Sequence, residues 1–440
     1  MNELLLNNYL PTAFWAMEPV AWQEYVGELK GDARQVLAHY PFKWAFAPPC
    51  DSQQAVEFLR DIGVDDGRVS VELVEEQFAD LPTFESLVSG GCVDWEIPTG
   101  DEIPPGGFRM IPEWEPMAGA LMNWPTFYPP LWDTFRRMVD GVSHATAFLR
   151  IPKGYLGAAV LAWLGAQGID LDRVRPIPGP VGDIWARDYS PMYGVNRYTG
   201  EPTALKFTFA AFFPGYRERY RHIAEIDNRF AWTEGFRVYR TEIMYDGGYV
   251  ITDGNGTFVM TRRVLADNAR VPNLYAKLET WLGADRLIII DEEPGDALGH
   301  INHVKFISPQ KVLVGLPDDE QSPVYRYHAR LHELFAGYGY EVIAVPCPVG
   351  KNRMLPTGWR SVALYANSLM MNGRVLLGQY GPGLEKYDEQ AIDVYRQALP
   401  DYEIIPIDCA LLSNGGGSIN CTTHEIPDVG RLLDWKRENE

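Results

Sequence analysis

Cysteine is scarce in this chain of 440 residues: there are five, Cys50, Cys92, Cys347, Cys409 and Cys421, with no CxxC pair among them. An odd number without close pairs excludes a disulfide framework and a cysteine-rich zinc module, and leaves at least one thiol free. Long apolar runs are missing too, since stretches such as Leu156 to Leu164 and Leu287 to Ile290 fall well short of the roughly 20 residues that span a bilayer. The start, Met1 to Tyr9, carries Glu3 and has neither a basic opening nor a long apolar stretch. It lacks the marks of a secretory signal, and a cytoplasmic location without membrane attachment is expected. Positive charge is in deficit. With 39 basic residues against 59 acidic ones the formal charge is −20, which disfavours nucleic acid as a partner and favours the approach of small cations.

What is present is an ordinary globular composition, 46% hydrophobic and 22% charged, enough for one large core and a smaller appended unit. Residues 1–107 and 108–430 differ in texture, and 431–440 read as a tail. The first part offers short helical patterns at Ala21 to Leu37, Gln53 to Asp61 and Val71 to Phe78, and ends in the linker-like run Ile103-Pro-Pro-Gly-Gly107. No chemistry can be assigned to it.

In the second part a pattern recurs: an apolar strand, a turn rich in Gly, Asn or Asp, another strand, then an amphipathic helix. The clearest hairpins are Tyr249 to Met260, Val304 to Val314 and Ser368 to Leu377, and two more units begin near Asp188 and Cys421. Helices are predicted at Asp267 to Leu282, with Asp267 as N-cap, and at Pro323 to Tyr338. The residues at the mouths of the units are 188, 247, 300, 366 and 421, separated by 59, 53, 66 and 55 positions. That regularity points to five small α/β units arranged radially, whereas a doubly wound sheet would alternate without a period. In a radial arrangement Asp188, Gly247, His300, Ala366 and Cys421, or their neighbours, line one hollow.

Three of those positions carry chemistry. Cys421 follows Asn414-Gly-Gly-Gly417, where successive glycines let the backbone approach closely and take positive φ. The other four cysteines have no such setting and read as small buried side chains. His300, in Gly299-His-Ile-Asn302, is expected to open a strand, with His300 and Asn302 on one face and Ile301 and His303 on the other. An imidazole titrating near neutrality can give a proton and later take one. Asp188 suits a planar cation, because a carboxylate accepts two parallel N–H bonds from a guanidinium. Arg187 beside it offers a rival reading, in which it pairs with a distant acid and the whole segment is structural.

Trp185-Ala-Arg-Asp-Tyr-Ser-Pro191 resembles the WxRDxxP motif of the agmatine deiminase and bacterial peptidylarginine deiminase superfamily. Four further segments fit that family in order: Pro112-Glu-Trp-Glu-Pro116 with Asn123-Trp-Pro125, Asp246-Gly-Gly248 with Asp253-Gly-Asn-Gly-Thr257, Gly299-His-Ile-Asn302, and Asn414-Gly-Gly-Gly417 with Cys421. The resemblance implies a five-bladed α/β propeller with an extra N-terminal α-rich segment. It further implies thiolate attack by Cys421 on a guanidinium carbon, a covalent amidino-cysteine, and hydrolysis to a ureido product, with His300 as acid then base and Asp188 as anchor. Substrate contacts are implied for Trp185, Asp246, Gly247, Asn302 and Gly416, and neither metal nor cofactor is required. The partner is a small cationic guanidino compound or an arginine-containing peptide; self-association is left open.

The chain departs from the family at informative places. Asn302 stands where a second carboxylate is usual, a change that weakens cation binding by roughly 1 kcal/mol or more. Asn420 replaces a usual His, His424 a frequent Gln, and Phe213-Pro-Gly215 falls where agmatine deiminases tend to have Trp-Gly-Gly. Three readings of Asn302 stay open: a less basic or modified guanidine as substrate, a substitution that traps a complex, or a degenerate enzyme. Amidino transfer to an amine and a non-catalytic guanidine-binding or peptide-binding propeller are the alternatives to hydrolysis. His328 and His332, four apart on a helix, lack the Glu of a zinc-protease motif and read as packing or surface residues. Asp253 to Thr257 lacks P-loop and EF-hand features and reads as a hairpin turn.

Overall fold

The computed structural model describes residues 48–82, 107–126, 128–179, 181, 184–209, 230–296, 298–348 and 363–432. Seventeen strands among them form five separate sheets. β1 (Phe108–Met110) is antiparallel to β5 (Met192–Asn196), which forms a hairpin with β6 (Pro202–Phe209), and β6 is parallel to β7 (Arg237–Tyr245). Three further sheets repeat one plan, an antiparallel hairpin, a crossover containing helix, and a strand parallel to the second. They are β8 (Val250–Thr252), β9 (Thr257–Thr261) and β10 (Arg286–Ile290); β11 (Val304–Phe306), β12 (Lys311–Leu316) and β13 (Glu341–Pro346); and β14 (Leu369–Met371), β15 (Arg374–Gln379) and β16 (Glu403–Asp408).

The fifth sheet joins distant parts of the chain. β2 (Met117–Asn123), β3 (Thr146–Ile151) and β4 (Val174–Pro178) run parallel, and β17 (Thr423–Pro427) lies antiparallel to β2 with Glu425 opposite Ala120. The strand after Cys421 therefore pairs with residues some 300 positions earlier, whereas the other units close their hairpins locally. Central strands such as β9 and β15 read as unbroken apolar runs because both faces are covered. Their turns are set by local chemistry. Asn372 and Gly373 both take positive φ between β14 and β15, as a tight Asn-Gly turn requires. Asp253 Oδ1 accepts from the N–H groups of Asn255 and Thr257 at 2.8 and 2.9 Å, so that loop is the hairpin turn its sequence predicts.

The helix expected from Asp267 to Leu282 is interrupted. One helix spans Arg263–Asp267 and another Leu274–Leu282, with Asn273 at φ 53° as the N-cap of the second. Pro272 has no N–H to continue the ladder, so Asp267 ends a helix where it was expected to begin one. Pro323–Gly337 follows its N-cap, Ser322, whose hydroxyl accepts from Tyr325 N–H at 3.0 Å. No helix among the described residues is long and apolar enough to cross a membrane.

The helix Gly154–Ala166 has no charged residue and is buried over most of its length. A helix apolar on every side needs cover on every side. The cover comes from the first part of the chain. Ser52–Asp61, capped by Asp51, and Val71–Asp80, capped by Ser70, lie against it, with Ala55, Val56, Phe58, Leu59 and Val74 in the shared core. Phe78 stacks on Tyr155 at 3.9 Å, and Trp163 Nε1–H donates to Val64 O at 3.0 Å. The helical pattern at Ala21 to Leu37 and all of the linker run except Gly107 lie outside the described residues. Phe58 is fully buried with its ring 6.4 Å from that of Trp132. Replacing it by Ala is expected to cost about 3–5 kcal/mol in urea unfolding. A loss below about 1 kcal/mol would show that the appended helices do not share the main core.

Candidate active site

Arg187 organises the region. It sits in the short helix Ala186–Tyr189, and its Nη2 donates to both carboxylate oxygens of Glu425 on β17, at 2.6 and 2.8 Å. The same guanidinium donates to Asn420 O at 3.1 Å through Nε and to Asn420 Oδ1 at 3.0 Å through Nη2. Both ion-pair partners are buried. Burial works against the Arg187 cation, but Glu425 outweighs it and raises the group above its ordinary value. For Glu425, burial pushes the carboxyl up and Arg187 pulls it further down, leaving it below the usual range. The distant acid foreseen for Arg187 is thus present, and pairing with it fixes the neighbouring Asp188 beside the segment that carries Cys421.

From there the mouths of the five units touch in sequence. A Cβ added to Gly247 would lie 2.1 Å from Arg187 O and 3.5 Å from Asp188 Cα, a backbone approach only glycine permits. A Cβ on Gly248 would lie 2.5 Å from the His300 ring, and Ile301 N–H donates to Gly248 O at 2.7 Å. Asp246 caps the turn Gly247–Tyr249 by accepting from Gly248 N–H at 2.8 Å, and its Oδ1 lies 3.1 Å from His300 Nε2. Asn302 Oδ1 accepts from Asn367 Nδ2 at 3.3 Å and lies 3.8 Å from Cys421 Sγ. Asn367 Nδ2 also reaches Cys421 Sγ, at 3.1 Å, while its Oδ1 accepts from Cys421 N–H at 3.2 Å. Asn420, next to Cys421, returns to Arg187. The circuit is closed.

Electrostatics divides the titratable groups. Burial alone would lower His300, but Asp246 and then Asp188 outweigh it, helped by Asp296, and the ring is raised to about 10. At neutral pH it is an imidazolium. Burial first, and the Asp188 carboxylate second, push the Cys421 thiol up to about 12, against hydrogen bonds at Ser418 and Asn367 and the Arg187 charge. His424, buried and near Arg187, falls to about 3 and stays neutral. Atoms of Asp188, Asp246 and His300 lie within 4.8 Å of one another, a spacing a divalent ion could also use.

The structure therefore gathers Cys421, His300, Asp188, Asn302, Asp246 and Gly247 in one place. Trp185 packs its indole on Gly417, where a Cβ would lie 2.3 Å from the ring. Of Gly415, Gly416 and Gly417 only Gly416 takes positive φ, at 90°, so the run of glycines serves one turn and one close approach. His300 does not open a strand: β11 starts at Val304, and residues 299–303 form an irregular segment in which Asn302 faces Asn367 and Cys421 while His303 faces Cys347. Cys50 is exposed, against the expectation of burial; Cys347 and Cys409 are buried, and Cys92 lies outside the described residues, as does Phe213 to Gly215. Asn367 was missed. The period marked 366, and its chemically bland Ala drew attention away from the amide beside it.

Removing the Arg187 cation by Arg187→Met would leave Glu425 buried without its partner, and a loss of about 3–5 kcal/mol in urea unfolding is expected. A loss under about 1 kcal/mol would mean the pair does not hold these segments together.

Agmatine deiminase of Medicago truncatula is 26% identical over 374 residues, covering 73% of this chain and 97% of that protein. The Pseudomonas fluorescens agmatine deiminase is 26% identical over 358 residues, covering 73% and 96%. The solved C. jejuni agmatine deiminase superposes with a TM-score of 0.62 at 21% identity, over 74% of this chain and 99% of that one, which establishes a shared mixed α/β fold. With residues 109–427 matching its family description, the chain belongs to the Porphyromonas-type peptidyl-arginine deiminase family.

Proposed function

We propose that this protein is a guanidino-group hydrolase of the deiminase type, acting on a small cationic guanidino compound, and that its five sheets are the blades of a propeller whose axis runs through the ring of contacts. One observation carries the reading. Cys421 and His300, both buried, respond to the same carboxylate, Asp188, and Asn302 and Asn367 bridge the sulfur to the histidine segment. A planar cation bound to Asp188 sits against both groups and offsets that carboxylate's share, second to burial, in holding the thiol protonated. Substrate binding thereby favours ionisation of the thiol, whose proton passes to solvent, and the thiolate is the nucleophile.

The chemistry then follows. Sulfur bonds to the guanidinium carbon, and the tetrahedral adduct expels ammonia as the His300 imidazolium gives up its proton. Asp188 keeps the remaining nitrogens in place and balances their charge. Water attacks the amidino-cysteine, neutral His300 takes its proton, and cleavage of the C–S bond frees the ureido product and the thiolate. Trp185, Gly416 and Gly417 shape the approach to the sulfur. Asn302 supplies an amide where the family supplies a second carboxylate, so this site holds its cation with one charge-assisted clamp and suits a less basic guanidine.

The test is ureido and ammonia formation from a panel of simple, acylated, hydroxylated and peptide-embedded guanidines, with and without amine acceptors. Turnover by the native protein and none by Cys421→Ser is expected. Absence of both products across the panel would sink the hydrolase reading, and amidino transfer to the amine would redirect it. Asn302→Asp should lower KM for strongly basic guanidines about fivefold or more, from a gain of roughly 1 kcal/mol in charge-assisted bonding. An unchanged or higher KM would remove Asn302 from the clamp.

Thiol reactivity gives a check independent of turnover. In the free protein Cys421, followed by peptide mapping apart from the exposed Cys50, should be alkylated slowly by iodoacetamide at pH 8, with a rate that climbs as pH rises towards about 12. Asp188→Asn should speed alkylation at pH 8 while abolishing turnover. A slower or unchanged rate would show that Asp188 does not govern the sulfur.

A further inference from the structure

The segment that carries His300 has a second face, and it leads to another cluster of metal-ligating side chains. His303 Nδ1 lies 3.6 Å from Cys347 Sγ, just beyond β13, and its ring stands edge-on to that of His328 with centroids 5.2 Å apart. Each of the three residues offers a ligand atom within 4.8 Å of the others, and each is buried, His328 to 0% exposure. Both ring nitrogens of His328 lack a hydrogen-bond partner. Glu293 stands at ion-pair distance from both rings: its oxygens lie 3.6 Å from His303 Nε2 and 3.6 Å from His328 Nε2, longer than a good hydrogen bond.

We propose that His303, His328 and Cys347 form a binding site for a borderline-soft divalent ion, Zn2+ in particular, separate from the guanidino site. One thiolate and two imidazoles make a donor set that zinc accepts. Zn–N and Zn–S bonds of about 2.0–2.3 Å place tetrahedral ligand atoms roughly 3.3–3.6 Å apart, close to the observed separation of sulfur and Nδ1. The two nitrogens of the His303 ring face apart. An ion shared with Cys347 through Nδ1 leaves Nε2–H to Glu293, which is the carboxylate behind histidine that orients metal ligands.

Space at the site is kept by glycine. A Cβ on Gly315, next to last in β12, would lie 3.1 Å from His303 Cβ and 3.3 Å from Cys347 Cβ, so a larger residue would press on both ligands. Ion binding converts S–H to a metal–sulfur bond and releases the proton to solvent. The ligands come from the segment before β11, the helix Pro323–Gly337 and the end of β13, so the ion would tie the active-site segment to the sheet behind it. The sequence reads His328 and His332 as packing or surface residues; the proposed site instead takes His328 with partners from other elements and leaves His332 out.

The experiment is a Co2+ titration of the full-length protein after chelator treatment, followed by near-ultraviolet thiolate-to-cobalt absorption and visible tetrahedral bands. Saturation at one equivalent, displacement by Zn2+, and a Zn2+-dependent rise in thermal midpoint are expected. The absorption should persist in Cys421→Ser, vanish in Cys347→Ser, and require at least tenfold more Co2+ in His328→Gln. Glu293→Gln should weaken binding about tenfold or more. Cobalt anomalous scattering from crystals locates the ion without any variant, at ~2.3 Å from Cys347 Sγ. The proposal is overturned by native protein that gives no saturable thiolate band. It is equally overturned by absorption lost with Cys421 and kept without Cys347, or by an anomalous peak at Asp188, Asp246 and His300.

Discussion

Everything at the centre of this protein depends on one buried guanidinium, that of Arg187. The carboxylate beside it and the thiol opposite it are separated by 233 positions in the chain, and neither has a local reason to face the other. Arg187 gives that reason by spending its donors on Glu425 and on Asn420, which flank Cys421. A desolvated cation of this kind is tolerated only with its full set of acceptors, so the register of β17 against β2, which sets Glu425, is also a constraint on where the sulfur lies. Asn420 belongs to this logic. Its amide oxygen serves the guanidinium.

Around that anchor the charges are arranged to be incomplete. Asp188, Asp246 and Asp296 surround His300 and keep it protonated, and burial, with the first of them added to it, keeps Cys421 from ionising. In the proposed reaction, a hollow in this state holds an acid ready for a leaving amine and a nucleophile that is silent until a cation arrives. On the proposed reading the restraint is useful, because a thiolate exposed without substrate would be open to oxidation and alkylation. In that reading the aspartates do two things with one charge: they attract the guanidinium and they delay the sulfur until it is seated.

Much of this was legible before the coordinates. The hairpins were, because Asn372-Gly373 and Asp253 to Thr257 fix their turns through neighbouring atoms alone, and the period of mouth residues followed from their repetition. What escaped was non-local or masked by a bland neighbour. The partner of β17 lies at the other end of the described chain, and no turn residue announces it. Glu113, within a motif noticed only for its resemblance, turns out to bridge two sheets, accepting from Lys305 Nζ at 2.5 Å and from Met370 N–H at 2.9 Å. Glycines were recognised as permissive, yet which neighbour each admits could only come from packing: Arg187 against Gly247, His300 against Gly248, Trp185 against Gly417. The appended helices gave no chemical signal, and their role follows from the uncharged helix they cover.

The pair of amides, Asn302 and Asn367, brings these strands together. Asn367 spends one N–H on sulfur and shares that nitrogen with the oxygen of Asn302, so the amide at 302 lies within the surroundings of the nucleophile as well as near the substrate anchor. A carboxylate at 302 would add a second negative charge beside a thiol that Asp188 already holds up, and would draw the Asn367 donor away from sulfur. The neutral amide spares the thiol that further rise and surrenders one ionic contact to the cation. Affinity for charge and readiness of the sulfur therefore oppose each other at this position. On the proposed function Asn302 resolves the conflict in favour of the sulfur, which is the resolution a site needs when its guanidine carries its positive charge weakly.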